Sequence, residues 1–381
     1  MAKKTRPSRQ HLITPQHSTA SHIPIIDTHT HLHATFSWYT EWYLKHFPSK
    51  PNSLSPAANG AVDANQVPKY DTIHEFVQGV YEGKNVKAIV DVWCEAPPLL
   101  GEWRKLADSA LTEEERRNKW GGIEYWFVMG VHPHNAGRYT DKIGQQIVEA
   151  MSHPRCVGWG EIGLDYARGP KNPDDPAEHE ALAKRHAWQR KVFEKQLRLA
   201  VQCGKPLTIH TREAEEDTER IMKEVLSEHR DWRIHIHCFT DSPEFAQRLL
   251  DHFPNLHIGI TGVVSYSSNL NTTALLRQMS SSSSSTASDS PDTIATSSDK
   301  DSRLRILLET DAPYMVPANI YKSLPDFKGR LPLCHTAMIP WTAEHVAGVV
   351  GFGDGEEQSG AEKIMRLANE NAERVYGLTV V

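Results

Sequence analysis

Histidines recur in this chain as pairs separated by one residue, and the pairs follow or end apolar runs. In the segment PIIDTHTHLHATF, residues 24–36, an apolar stretch leads into Asp27, His29 and His31. Side chains alternate between the faces of a strand, so these three would project to one side, where two imidazoles can bind a metal ion. One such pair is expected by chance among 21 histidines, but the chain has four: His29/His31, His31/His33, His132/His134 and His235/His237.

Length and composition describe a globular protein with a large core. The chain has 381 residues, of which 39% are hydrophobic and 24% charged. It contains no apolar run of about eighteen residues, so no membrane span is expected. The net charge of −6 argues against a broad basic surface for nucleic acid. Five scattered cysteines without a Cys-x-x-Cys pair fit a reducing compartment, which predicts a cytoplasmic or nuclear protein.

Short β-branched runs alternate with amphipathic stretches along the chain. The candidate strands cover residues 23–27, 86–93, 125–132, 156–163, 206–210, 232–239, 256–262 and 304–310. The clearest helical patterns cover 177–204, 212–229 and 242–253. Eight strands alternating with helices predict an α/β fold, a TIM-like (β/α)8 barrel. A doubly wound open sheet is the alternative, but no glycine-rich dinucleotide motif follows the first strand.

Four segments fall outside this repeat. Residues 1–22 are basic and lack an apolar core, which predicts a disordered leader. Residues 40–70 are rich in Pro, Asn and Ser and predict an irregular loop, whereas 94–122 predict a charged, partly helical insertion. Residues 280–302 are Ser-rich and of low complexity, which predicts a disordered loop. The chain from 23 to 381 is therefore predicted to be a single barrel with insertions.

Polar side chains follow most of the candidate strands. In a parallel barrel the carboxyl ends of the strands meet at one face, where active sites lie. The side chains there that suit one or two divalent ions are His29, His31, Glu161, His210, His237 and Asp311. Asp27 and Glu309 are expected to lie behind these ligands, and His235 one layer deeper. His132 and His134 are expected to contact substrate rather than metal.

Eight motifs, in order, resemble those of the TatD-type metal-dependent deoxyribonucleases of the amidohydrolase superfamily. They are DTHTHL, GVHPHNA, GEIGLDY, QLRLAVQCGKPLTIHTRE, HIHCFTDSPEFAQRLL, IGITG, LLETDAPY and ANENAERVYGL. The resemblance covers roughly residues 23–280 and 303–380. It implies a TIM-like barrel, a binuclear centre of divalent ions (Zn, Mg or Mn) and hydrolysis of phosphodiester bonds in nucleic acid.

The matching motifs also imply which residues hold the ions. By resemblance, His29 and His31 bind the first ion, and His210 and His237 complete the second site. Glu161 would bridge the two ions, as a glutamate does in TatD-type enzymes. Many other members of the superfamily use a carboxylated lysine instead.

The same resemblance implies catalytic roles. Asp311 would bind metal and accept the proton of the attacking water, so that Asp311 and Glu161 form the catalytic pair. Apart from the resemblance, metal-assisted hydrolysis of a phosphodiester predicts that Arg212 or His132 contacts substrate and stabilises the charge that develops on the phosphate.

The sequence departs from the TatD pattern in three respects. The first motif usually continues His-Leu-Asp, whereas this chain has His33 at the third position. The family's Arg-Asn segment after the last strand is replaced by GRLPLCHTAMIPW at 329–341. The insertions at 40–70 and 94–122 are longer than in compact bacterial members and resemble those of elaborated eukaryotic members. They are expected to cover part of the active-site face.

Three functions are consistent with these patterns. The first is a DNase that removes nucleotides stepwise from single-stranded DNA ends with a two-metal-activated water. The second is a metal-dependent esterase such as a D-aminoacyl-tRNA deacylase. The third is a weakly active barrel that serves as a protein-interaction scaffold. The intact set of six ligands argues against the scaffold, because a scaffold has no need of them.

Overall fold

Eight parallel strands form one sheet in sequential order. The structure, a computed structural model, describes residues 7–48, 66–96, 101–281, 304–324, 327–353 and 358–378. The strands are β1 (Ile25–Thr30), β2 (Val86–Trp93), β3 (Glu124–Met129), β4 (Cys156–Asp165), β5 (Leu207–Arg212), β6 (Ile234–Ile236), β7 (Leu256–Ile260) and β8 (Ile306–Leu308). Each predicted strand is present, with its bounds shifted by a few residues, and the predicted barrel is confirmed.

The barrel closes where the chain leaves β8 and meets β1. Thr30 pairs with Ala312 in a parallel bridge, and the amide of Asp311 donates to the carbonyl of His29 at 2.9 Å. The buried Asp27 carboxylate strengthens this closure. It accepts hydrogen bonds from the amide (3.0 Å) and hydroxyl (2.6 Å) of Thr310. Burial raises the pKa of Asp27 to about 7, although these hydrogen bonds oppose the shift.

Helices surround the barrel between the strands. They are α1 (Leu32–His46), α2 (Ile73–Tyr81), α3 (Glu102–Asp108), α4 (Glu113–Trp120), α5 (Asp141–Met151), α6 (Pro176–Gln202), α7 (Glu215–Val225), α8 (Pro243–His252), α9 (Leu270–Ser281), α10 (Ile339–Val350) and α11 (Gly360–Tyr376). The hydroxyl of Ser242 caps α8 by accepting a hydrogen bond from the Phe245 amide at 3.2 Å. None of the helices in the described part of the chain combines the length and apolar character that crossing a bilayer demands.

The sheet is buried on both faces. In the short strands β6 and β8 every residue is buried, and β4 is buried along its whole length. Parallel strands that are covered on both sides read as continuous apolar runs, which is why these segments were recognisable in the sequence. The polar groups that lie within them are therefore enclosed by apolar side chains except at the strand ends.

The segment after the first strand differs from the predicted loop. Helix α1 begins directly after β1 and continues to His46, so residues 40–46 are helical. No Gly or Pro interrupts the chain between His31 and Phe47, and Leu32, Thr35 and Tyr39 are buried on one side of the helix. The Pro, Asn and Ser residues that suggested a loop are concentrated in 49–65, which lie outside the described residues.

The N-terminal segment also differs from the predicted leader over residues 7–22. Leu12 is buried, and its carbonyl lies 3.2 Å from Nε2 of His335. The ring of His11 lies 4.4 Å from that of Phe327. A few apolar and aromatic contacts therefore hold a segment whose average composition is polar. Residues 1–6 lie outside the described residues, as does most of the Ser-rich segment, from 282 to 302.

The segment 329–341 packs against the loop that follows β8. The amide of Cys334 donates to the carbonyl of Pro313 at 2.9 Å, and the hydroxyl of Thr336 donates to Asp27 at 2.8 Å. Leu331 and Trp341 are buried against Ile320. The segment that departs most from the family pattern therefore supports the closure of the barrel.

Candidate metal centre

The six predicted ligands converge at the carboxyl ends of the strands. Glu161 of β4 lies between two pairs of histidines. Its Oε1 lies 2.8 Å from Nδ1 of His210 and 3.0 Å from Nε2 of His237. Its Oε2 lies 3.5 Å from Nε2 of His29 and 3.7 Å from Nε2 of His31. One carboxylate therefore presents each of its oxygens to a different pair of imidazoles.

Asp311 completes the side of the cluster that β1 contributes. Its Oδ1 lies 3.3 Å from Nε2 of His31 and 3.8 Å from Nε2 of His29. The backbone of Asp311 has φ of 51°, and that of Cys238, next to His237, has φ of 45°. This left-handed region is costly for residues other than glycine, and such strain concentrates at functional sites.

His132 lies closer to the cluster than the sequence predicted. Its Nε2 is 3.4 Å from Oε1 of Glu161, and its ring centroid is 4.7 Å from that of His210. His132, Glu161 and His210 thus form a possible metal-binding group, as do His29, His31 and Glu161. Burial lowers the pKa of His132 to about 4, so the imidazole is neutral at pH 7.

Asp165 orients His210 from outside the predicted ligand set. Its Oδ2 lies 3.2 Å from Nε2 of His210 and 3.0 Å from Nε2 of His134. With Nε2 held in this way, Nδ1 of His210 points toward Glu161. No local pattern in the sequence pointed to this role of Asp165, because its partners His210 and His134 lie on other elements of the barrel.

A chain of buried groups extends from His237 to the C-terminal helix. Oε1 of Glu309 lies 3.7 Å from Nδ1 of His237, and its Oε2 lies 2.9 Å from Nε2 of His235. Nδ1 of His235 lies 2.8 Å from the hydroxyl of Tyr376. A Cβ at Gly259 would overlap Glu309 and His235, so this position needs a glycine. Glu309 and His235 lie where the sequence predicted, whereas Tyr376, although it belongs to the ANENAERVYGL motif, was assigned no role.

Two further groups were not anticipated. The buried carboxylate of Asp91, on β2, accepts hydrogen bonds from the amide of Leu32 at 2.9 Å and the hydroxyl of Tyr125 at 2.8 Å. A neighbouring strand thus supplies a carboxylate beside the first motif, where His33 replaces the usual Asp. The thiol of Cys94 lies 3.6 Å from Oε2 of Glu161, and burial raises its pKa well above the usual range.

The donor groups fit a divalent metal. Both ring nitrogens of His29 and Nδ1 of His237 are buried and have no hydrogen-bond partner among the described residues. Such atoms are costly unless another group satisfies them. Burial, followed by the charge of His237, lowers the pKa of His29 to about 4, which keeps it in the neutral form that binds metals. Burial raises the pKa of Glu161, but the imidazoles of His237 and His132 lower it well below its usual range.

One side of the cluster is open to solvent. The side chains of His29, Glu161 and His237 are 0–3% exposed, whereas those of His31, His210 and Asp311 are 18%, 14% and 12% exposed. A substrate can therefore approach over His31, Asp311 and His210.

Arg212 is the remaining residue for which the sequence predicted a role. Arg212 ends β5 and is exposed, and among the described residues it makes none of the hydrogen bonds or ion pairs within the cluster. Its predicted contact with substrate stays a prediction.

One known protein family matches most of this chain. Residues 26–304 match the family model described as TatD related DNase. The chain belongs to the TatD-related DNase family. The human 3'-5' RNA nuclease TATDN2 is 34% identical over 253 residues, which are 66% of this chain and 27% of the human protein. The 3'-5' ssDNA/RNA exonuclease TatD of Edwardsiella piscicida is 33% identical over 196 residues, 51% of this chain and 60% of that protein. This TatD-related chain thus spans only part of the length of both relatives.

Solved TatD structures share the fold. A TatD family hydrolase from Entamoeba histolytica superposes with a TM-score of 0.59 at 16% identity, covering 94% of this chain and 99% of that one. The TatD homologue YJJV from Escherichia coli superposes with a TM-score of 0.55 at 17% identity, covering 93% and 98%. The membership predicted from the eight motifs is confirmed for this TatD-related chain.

Proposed function

We propose that this chain is a divalent-metal-dependent nuclease that removes nucleotides from the ends of single-stranded nucleic acid, with DNA as the expected substrate. The observation that carries the proposal is the position of Glu161, with each carboxylate oxygen facing a separate pair of histidines. A carboxylate placed in this way could serve as a shared ligand of two divalent ions. The nuclease names of the human and bacterial relatives support the same class of reaction.

In this proposal His29, His31 and Asp311 hold one ion, and His210 and His237 hold the other. The mixture of imidazole and carboxylate donors suits Zn²⁺, Mn²⁺ or Mg²⁺. Two divalent ions held there supply a water nucleophile at neutral pH and neutralise charge on the phosphate.

Side chains at this site accept a proton from water and contact the substrate. Asp311 accepts a proton from the attacking water at its carboxylate. Burial raises its pKa, but the hydrogen bond from His31 and the charge of His237 lower it overall, so the group is ionised and ready to act as a base. His132 and Arg212 contact the phosphate oxygens. Because the net charge is −6, affinity for nucleic acid comes from this site rather than from a basic groove.

The test is hydrolysis of end-labelled single-stranded DNA and RNA, together with metal analysis of the purified protein. We expect stepwise shortening of the nucleic acid, and chelators should abolish it. Glu161→Ala and Asp311→Asn should abolish it as well, while the protein stays folded. Asp251→Asn, which changes an exposed carboxylate on α8, is the matched control and should retain full activity. If the wild type leaves both nucleic acids intact and hydrolyses a D-aminoacyl-tRNA ester, the nuclease proposal fails and the esterase alternative replaces it.

A further inference from the structure

Two large aromatic side chains are exposed and in contact with each other. Trp38 on α1 is 42% exposed, and Tyr314 in the loop after β8 is 45% exposed. Their ring centroids lie 5.2 Å apart, and the rings are nearly perpendicular, at 80°. Large aromatic side chains normally bury their apolar surface, so an exposed pair indicates a binding surface. Among the described residues, they are the two strongly exposed aromatics that contact each other.

The pair borders the open side of the metal centre. Helix α1 starts immediately after His31, and Tyr314 comes three residues after Asp311. The amide of Tyr314 donates to the carbonyl of Asp311 at 3.0 Å, a turn that keeps their Cα atoms within about 7 Å of each other. Tyr314 is therefore tied by its backbone to Asp311, and Trp38, which contacts Tyr314, lies on the helix that follows His31. Both of these candidate ligands are partly exposed.

The chemistry of the pair favours a flat, uncharged occupant. Two nearly perpendicular rings form a corner in which a third ring can stack on one and meet the edge of the other. An indole and a phenol ring carry no charge at neutral pH, so the corner offers no cation that would pair with a phosphate. A nucleobase meets these conditions, because every base has an apolar face that stacks on aromatic side chains.

We propose that Trp38 and Tyr314 form a stacking site for the nucleobase adjacent to the scissile phosphodiester. This inference rests on the proposed nuclease function and extends it, because it names the part of the substrate that these residues bind. Bases in a duplex are already stacked and paired, so a site of this kind selects single-stranded ends. Trp38 and Tyr314 act as binding residues, whereas the reacting groups belong to the metal centre.

The test combines variants of the enzyme with variants of the substrate. Wild type, Trp38→Ala and Trp38→Phe are compared on a single-stranded oligonucleotide with an intact terminal base and on one that is abasic at that position. We expect removal of the base to lower kcat/KM of the wild type about tenfold. On the intact oligonucleotide, Trp38→Ala should lose a similar factor in kcat/KM, and it should discriminate little between the intact and the abasic oligonucleotide. Trp38→Phe should restore most of this discrimination. Leu44→Ala, which truncates another exposed side chain on α1, should discriminate as the wild type does.

A binding measurement separates this inference from the proposed function. The affinity of the Asp311→Asn protein, with and without Trp38→Ala, is measured by fluorescence anisotropy with the same two oligonucleotides. Tighter binding of the intact oligonucleotide that depends on Trp38 supports the stacking site even if the wild type cleaves nothing. Equal affinity for both oligonucleotides, or unchanged discrimination in Trp38→Ala, overturns the stacking site even if the wild type is an active nuclease.

Discussion

The hydroxyl of Tyr376 lies 2.8 Å from Nδ1 of His235, and this contact joins the last helix of the barrel to its centre. The same hydroxyl lies 2.7 Å from that of Thr208 on β5. His235 in turn lies beside Glu309, which lies beside the candidate ligand His237. Helix α11 therefore supports the orientation of a candidate metal ligand through two buried polar groups.

Removal of the Tyr376 hydroxyl should affect stability and metal binding together. Tyr376→Phe keeps the ring but leaves His235 and Thr208 without their shared partner. We expect the free energy of unfolding to fall by about 1–2 kcal/mol and the affinity for metal to fall several-fold. Chemical denaturation and metal titration measure the two effects. Tyr139→Phe is the control, because that buried hydroxyl has no hydrogen-bond partner among the described residues, and it should change neither value. Unchanged metal affinity in Tyr376→Phe would contradict the support of His237 by α11.

A methyl group at residue 259 should disturb the same set of groups. In Gly259→Ala the new Cβ overlaps Glu309 and His235, which cannot move without displacing buried neighbours. We expect a loss of about 1–3 kcal/mol in stability, measured by denaturant unfolding. Gly348→Ala is the matched control: a Cβ there meets no atom within 4 Å, and the helical position should gain a few tenths of a kcal/mol or more. Equal stabilities of the two variants would argue against the crowding at residue 259.

Stability should decrease as the pH falls below about 6.5, partly because of His335. Burial, followed by the charge of Lys84, lowers the pKa of His335 to about 3 in the folded protein, whereas the ordinary value is 6.5. Between these values the unfolded chain binds a proton that the folded protein does not, so stability is complete above pH 6.5 and is lost as the pH falls toward 3. The loss at pH 5 is about 2 kcal/mol. The free energy of unfolding, measured at pH 5, 6 and 7, should depend less steeply on pH in His335→Gln than in the wild type. His179→Gln, at an exposed position, should keep the wild-type dependence.

Metal ions should stabilise the folded protein. A metal ion that is held by buried nitrogens without another partner binds only to the native state. A free metal concentration of 100 times Kd therefore adds about 2.7 kcal/mol to the free energy of unfolding. We expect Tm to rise with added Zn²⁺ or Mn²⁺ and to return to its starting value with a chelator. Glu161→Ala should remove most of the increase, and Asp251→Asn should retain it. A Tm that does not respond to any divalent ion in the wild type would count against the metal centre.

The strands, and the convergence of polar side chains at their ends, could be predicted because the strands of a parallel barrel are continuous apolar runs. A His or Glu at the end of such a run therefore stands out, and the barrel brings these ends to one face. Glu161 and His237 were identifiable on this basis. Tyr376 was not, because its partner His235 is 141 residues away in the chain and no local pattern links them. The packing of Leu12 was missed for a related reason, since one buried side chain does not alter the polar composition of its segment.

The closure of the barrel sets the order in which the site can arise during synthesis. His29 is on the first strand and Asp311 directly follows the last, and the backbone hydrogen bond between them forms only when these two ends of the sheet meet. A chain still emerging from the ribosome, with its last strand untranslated, lacks Asp311, the proposed ligand and base. The unfinished protein therefore lacks the full proposed site while it is next to the messenger RNA that encodes it, and hydrolytic competence arrives only with the folding of the last strand.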